Sequence, residues 1–152
     1  MTNFGQLDEQ LDAYDIAFTF KGKEYQITHS VQEVLTFHRD LANARNKLAT
    51  DRNASDPFGV WRRVCPLLGS KFVAKTGKIE GGILGEIIEA GATFPQVERL
   101  VSAVEFKYSN SDELAKAYFE TGNLKKAVDR LSDDSQPSQE TPKDAGETNG
   151  DA

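Results

Sequence analysis

The sequence predicts a mainly α fold: a small helical domain with one N-terminal β-hairpin and a disordered acidic C-terminal tail. Three observations carry that reading. Apolar residues recur at helical spacing from Ile83 to Phe119, with tight turn signals at Gly91, Ser109–Ser111 and Gly122. Alternation of period two appears at Ile16, Phe18 and Phe20, and again at Tyr25 and Ile27. From Ser132 onward no large apolar residue remains. The domain is therefore expected over residues 1–131 and the tail over 132–152.

Phe4, Leu7 and Leu11 are spaced like one face of a short helix or turn. The hairpin follows. A two-residue loop at Gly22–Lys23 suits a type II′ turn; it sets Lys21 opposite Glu24, Phe20 opposite Tyr25 and Phe18 opposite Ile27. An isolated hairpin is marginal in water, so its apolar face must pack on the helices, on another copy or on a partner. Ser30 and Glu33 have capping-box spacing and open a helix over about Val31 to Ala49. Val34, Phe37, Leu41, Ala44 and Leu48 mark its inner face. A polar loop, Thr50 to Asp56, follows. Asp56–Pro57 then reads as a cap and first-turn proline ahead of Phe58, Val60, Trp61 and Val64, and Pro66 interrupts that segment. Leu67, Leu68, Phe72 and Val73 read as the start of another helix.

The next helix spans Ile83 to Ala90, with Ile83, Leu84, Ile87 and Ile88 on one face and Gly91 at its close. Thr93, Pro95 and Gln96 start a further helix, whose stripe is Val97, Leu100, Val101, Val104 and Tyr108. A third begins near Asp112, turns Leu114, Ala115, Tyr118 and Phe119 inward, and stops at Gly122. Asn123 caps a last short helix with Leu124, Val128 and Leu131 on its apolar side. Beyond it the composition cannot offset the entropy of ordering.

The formal net charge is −6, and six carboxylates between Asp133 and Asp151 face one cation there, Lys143. The body is close to neutral, which argues against a general nucleic-acid binder. The single cysteine, Cys65, lies in an apolar run and reads as a small buried hydrophobe. No signal-peptide pattern and no membrane-length apolar run is present, so a cytoplasmic protein is expected.

No catalytic or metal-ligating pattern stands out, and no cofactor is expected. His29 and His38 lack partners at metal-ligand spacing. His38–Arg39–Asp40 spells a kinase triplet without the rest of the kinase pattern. Gly81, Gly82 and Gly85 complete no phosphate-loop motif and read as residues that let the chain turn or let helices approach closely. A helix–turn–helix reading of Ile83 to Tyr108 has only Arg99 and Lys107 as cations, set against Glu98 and Glu105. The basic stretch Arg62, Arg63, Lys71, Lys75 and Lys78 keeps it open.

Three stretches carry a family resemblance: FGQLDEQL followed by FTFKGKEYQI; ILGEIIEAGATFPQVERLVSAVEF; and ELAKAYFETG followed by an acidic tail. In pattern and order, from Phe4 to Gly122, the chain resembles the tail assembly chaperones of long-tailed (siphovirus-type) bacteriophages of actinobacteria. Phe119 stands where many members carry tryptophan. The resemblance implies a protein made in the host cytoplasm during infection. It implies binding to the tape measure protein, assistance to tail tube assembly, and absence from the mature virion. It implies a longer form made by programmed frameshift, with that form and the tail tube protein as further partners. Phe58, Trp61, Tyr108 and Phe119 are the candidate partner-contact residues. A virion adaptor or connector, and a nucleic-acid-binding regulator, are the alternatives.

Overall fold

The computed structural model describes residues 1–7 and 15–135. Among these, the element order is β1 (Ile16–Phe20), β2 (Lys23–Ile27), α1 (Val31–Thr50), α2 (Gly59–Val64), a 3-10 turn (Cys65–Leu68), β3 (Lys71–Val73), β4 (Lys78–Glu80), α3 (Gly82–Glu89), α4 (Phe94–Ser109), α5 (Asp112–Thr121) and α6 (Leu124–Ser135). The mainly helical class with an N-terminal hairpin is what the periodicity predicts. Helix α6 runs four residues past Leu131, to Ser135, so the first residues of the expected 132–152 tail are helical; Leu11 and residues 136–152 lie outside the described residues. Phe4 and Leu7 are exposed.

The N-terminal hairpin pairs Ile16 with Ile27, Phe18 with Tyr25 and Phe20 with Lys23. This differs by two residues from the register expected. The turn is Lys21–Gly22, and both have positive φ, 50° and 81°. That backbone belongs to a type I′ turn, whose twist matches the strands and whose second position glycine fills without strain. An even shift leaves the same side chains on the same face. That face joins the main core: Tyr25 and Ile27 are buried in it, and Phe18 stacks on Tyr25 at 5.0 Å between ring centroids. Lys21 Nζ donates to Ala90 O at 2.6 Å, and Lys23 bonds the Glu86 carboxylate. The turn is thus held against the end of α3.

The capping box at Ser30 and Glu33 is present, and so is the one at Thr93 and Gln96. Helix α1 buries Phe37 and Leu41, while Leu48 is exposed because the last turns run past the core. Asp56 accepts from Phe58 N at 2.9 Å, an Asx turn that delays α2 to Gly59. The helix expected from Leu67 does not form. Gly69, in the left-handed region, ends the 3-10 turn, and the chain continues as a second hairpin that pairs Phe72 with Ile79.

The main core gathers Phe37, Val64, Leu68, Leu84, Val101 and Val104, each at most 2% exposed. Its corner is the junction of the 3-10 turn with α3. Gly82 has φ 63°, and a Cβ there would lie 2.3 Å from the Gly69 backbone. Beside it the buried Ser70 hydroxyl accepts from Leu84 N at 3.2 Å, capping α3 from another element. A smaller cluster, Leu114, Ala117 and Ala127, joins α5 to α6. There Ala127 is buried and Leu131 packs beside it, while Leu124 and Val128 are exposed, so only part of the apolar side expected for α6 faces inward.

Candidate functional site

Two grooves are cut into the described surface. The first, about 520 Å³, is aromatic. Pro57 ahead of α2, together with Phe58 and Trp61, supplies one wall. Phe72, Gly77 and Ile79 of the second hairpin, Ile88 of α3, and Phe94, Val97 and Glu98 of α4 supply the rest. Phe58 lies 5.6 Å from Phe72, and Trp61 stacks on Phe94 at 6.0 Å, centroid to centroid. Phe94 is 65% exposed, Phe58 43% and Ile88 40%. Large apolar side chains left open in one concavity are the signature of a binding surface rather than of a core.

Local rules place each of these residues. Phe94 follows the Thr93 cap, so it extends the stripe of α4 one turn beyond the packed region. Phe72 and Ile79 are cross-strand partners and project to the same face. Arg62 pairs with Asp56 at 3.1 Å beside the aromatic wall. Arg63 forms a two-pronged pair with Glu105, Nε donating to Oε2 at 3.2 Å and Nη2 to Oε1 at 3.0 Å, that ties α2 to α4. This pair is only 13% and 18% exposed.

The second groove, about 840 Å³, lies between the first strand and the α4–α5 pair. Phe18, Leu100, Ala103, Val104 and Phe119 form its apolar part; Asp15, Lys107, Asp112, Lys116 and Glu120 are charged groups on its lining. His29 is buried beside it. Its Nε2 donates to Leu67 O at 2.8 Å, which leaves Nδ1 to accept from the Tyr108 hydroxyl in the neutral ring. Burial pushes the Tyr108 phenol well above its ordinary range, and the Asp15, Asp112 and Glu33 carboxylates push the same way. Both ring nitrogens are engaged, so His29 serves as a joint between β2, the 3-10 turn and α4. Cys65 is fully buried, and desolvation raises its thiol to about 11.

Of the four residues singled out by sequence, Phe58 and Trp61 meet in the aromatic groove and Phe119 lines the other one. Tyr108 lines neither; it is half-buried against Phe37 and His29. Sequence reasoning missed Phe72, Ile79, Ile88 and Phe94 as groove residues. The available signal was Phe94, an aromatic on the first position of a capped helix.

Of the two cations in the helix–turn–helix reading, Lys107 is paired with Asp112 at 2.8 Å and Arg99 donates to Phe119 O at 3.4 Å. Among the described residues no group of three or more His, Cys, Asp or Glu could hold a metal ion, and no helix is long and apolar enough to cross a membrane.

No curated protein and no solved structure matches the chain. A family model does, over residues 5–150, nearly the whole length, and the chain belongs to that family, described as Domain of unknown function (DUF7426).

Proposed function

We propose that this is a phage tail assembly chaperone. It binds the tape measure protein through the aromatic groove and assists tail tube assembly in the host cytoplasm. The observation that carries the reading is the groove, where Phe58, Phe94 and Ile88 stand open in one concavity with the partly buried Trp61 and Phe72. A tape measure is a long helical chain that must expose apolar stripes until a tube covers it. A groove of this kind takes such a stripe in the helix-in-groove mode, with apolar anchors one turn apart. The resemblance in order and pattern from Phe4 to Gly122 supplies the partner. The acidic C-terminal stretch adds charge repulsion that keeps the complex dispersed. In this reading the protein transforms no substrate. A frameshifted longer form and the tail tube protein are its further contacts. The ion pair of Lys107 and the bond of Arg99 to Phe119 O favour a protein partner over nucleic acid.

Co-expression tests it. The tape measure protein, insoluble alone, is recovered soluble with the native chain, and the F58A/F94A double variant loses most of that rescue while keeping its native thermal unfolding. Equal rescue by the folded double variant overturns the groove as the site. No rescue by the native chain, or a few copies of it in purified particles, overturns the chaperone reading in favour of a virion connector.

A further inference from the structure

The N-terminal hairpin has an open edge. Phe20 and Lys23 flank its two-residue turn and so form a hydrogen-bonded pair. The alternation of an antiparallel ladder makes Phe18 with Tyr25, and Ile16 with Ile27, the next such pairs. The N–H and C=O groups of Ala17 and Thr19 therefore point away from β2. Among the described residues no hydrogen bond from another segment reaches either of them. The second groove, about 840 Å³, runs beside this edge at Asp15 to Phe18, where a neighbouring strand would lie. Edge strands are commonly blunted by charge or proline, yet Ile16–Phe20 contains neither. Ala17 and Thr19 are exposed on one face, while Ile16, Phe18 and Phe20 pack against the core on the other.

We propose that this edge of β1 pairs with β1 of a second copy, antiparallel and centred on Phe18, joining two hairpins into one four-stranded sheet. With its flanks the strand reads Asp-Ile-Ala-Phe-Thr-Phe-Lys, residues 15–21, and reversed it complements itself. Ala17 meets the second copy's Thr19, and Thr19 meets the second copy's Ala17. These are the residues whose backbone groups face outward, so each pair exchanges its N–H and C=O bonds in phase. A shift by one residue would set those groups against residues already bonded within a hairpin. Ile16 comes beside the second copy's Phe20, which keeps the apolar side chains on the inward face. Asp15 comes to the end that carries the second copy's Lys21, whereas parallel pairing would set Asp15 beside Asp15. Lys21 uses one donor on Ala90 O and keeps its other two. A lone two-stranded hairpin is marginal in water, and a four-stranded sheet is not. The ladder is short, so the dimer is weak and forms with concentration. The aromatic groove shares no residue with β1, so each dimer carries two such grooves.

Sedimentation equilibrium of the full chain is expected to show monomer and dimer in exchange at concentrations up to about 0.5 mM. Thr19→Pro removes an N–H that faces outward and no bond to β2, a change that an edge strand tolerates. It should weaken the dimer about tenfold or more while the dilute protein keeps its native thermal unfolding. Cysteine pairing reads the register independently. Ala17→Cys and Thr19→Cys chains, each altered at an exposed position, are mixed and mildly oxidised. The mixture should form a disulfide-linked dimer several-fold faster than either chain alone, and the buried Cys65 stays out of the reaction. If Thr19→Pro fails to fold, the cysteine pair decides alone. A monomer at every concentration overturns the proposal, and so does crosslinking no faster in the mixture. A dimer that folded Thr19→Pro leaves intact also overturns it. So does a dimer abolished by F58A/F94A, which places the second copy in the aromatic groove. The proposal does not rest on the tape measure reading. Lost rescue of that protein leaves the dimer standing, and a strict monomer leaves the rescue standing.

Discussion

Replacing Gly82 with alanine should be the most damaging single-methyl change in the molecule. Two effects add. Gly82 has φ 63°, and a side chain held in the left-handed region costs about 1–2 kcal/mol. The new Cβ would also lie 2.3 Å from the Gly69 carbonyl carbon and oxygen and 2.6 Å from Ser70 Oγ. Backbone atoms cannot swing aside as a long side chain does, so the 3-10 turn and α3 must part, an overpacking cost of about 1–3 kcal/mol. The separation also strains the bond by which Ser70 caps Leu84 N, about 1 kcal/mol more. The expected total is about 3–6 kcal/mol, a large share of the ~5–15 kcal/mol typical of a whole domain. Gly77 is the internal control. Its φ is 73°, but nothing lies within 4 Å of the position its Cβ would take, so Gly77→Ala should cost only the backbone term. Urea unfolding followed by circular dichroism measures both. A difference below about 1 kcal/mol between the two variants would refute the close-approach argument.

Three further outcomes follow from particular contacts. Cys65 stays a neutral thiol in the fold up to about pH 11, above its ordinary value near 9.0; the stability this contributes is complete below pH 9 and is lost as pH rises through 11. The loss is on the order of 2–3 kcal/mol, should be absent in Cys65→Ala, and is read from unfolding midpoints across that range; the native thiol should also resist alkylation at pH 8. Truncating Arg63 to alanine strands the Glu105 carboxylate at 18% exposure and should cost about 2–4 kcal/mol, whereas an R63M/E105L double variant should recover much of it, both measured by chemical denaturation. Ser30→Ala removes the bond to Glu33 N at 3.1 Å and should cost about 1 kcal/mol by the same assay, with the loss of helicity confined to the start of α1.

Local rules explain which parts of this architecture were legible. Ser30–Glu33 and Thr93–Gln96 are reciprocal caps set by side chains three residues apart, and Gly122 closes α5 by its own backbone preference, so a reader of the sequence can place them. The second hairpin was not legible. Each strand has three residues, and Phe72 and Val73 follow Leu67 and Leu68 at spacing that also suits a helix. What decides between the two is Gly69 in the left-handed region and its contact with Gly82, thirteen residues on. The hairpin register slipped for a related reason: Lys21 accepts a positive φ, which its residue type disfavours, while its ammonium is held by Ala90 O from a distant helix. Half of the aromatic groove was visible as Phe58 and Trp61, one turn apart. Phe72 and Phe94 join them only through tertiary packing, which no local pattern encodes. Tyr108, by the same token, looked like any stripe residue until His29 was seen to hold its hydroxyl.

The central claim is that the aromatic groove is where the partner chain lies. Its most direct test is a photo-crosslinking phenylalanine analogue in place of Phe94, with the same analogue at the exposed His38 as the control, each irradiated during co-expression with the tape measure protein. The account predicts a covalent adduct to the tape measure protein from position 94 and none from position 38. No adduct from position 94, or equal adducts from both, would contradict it.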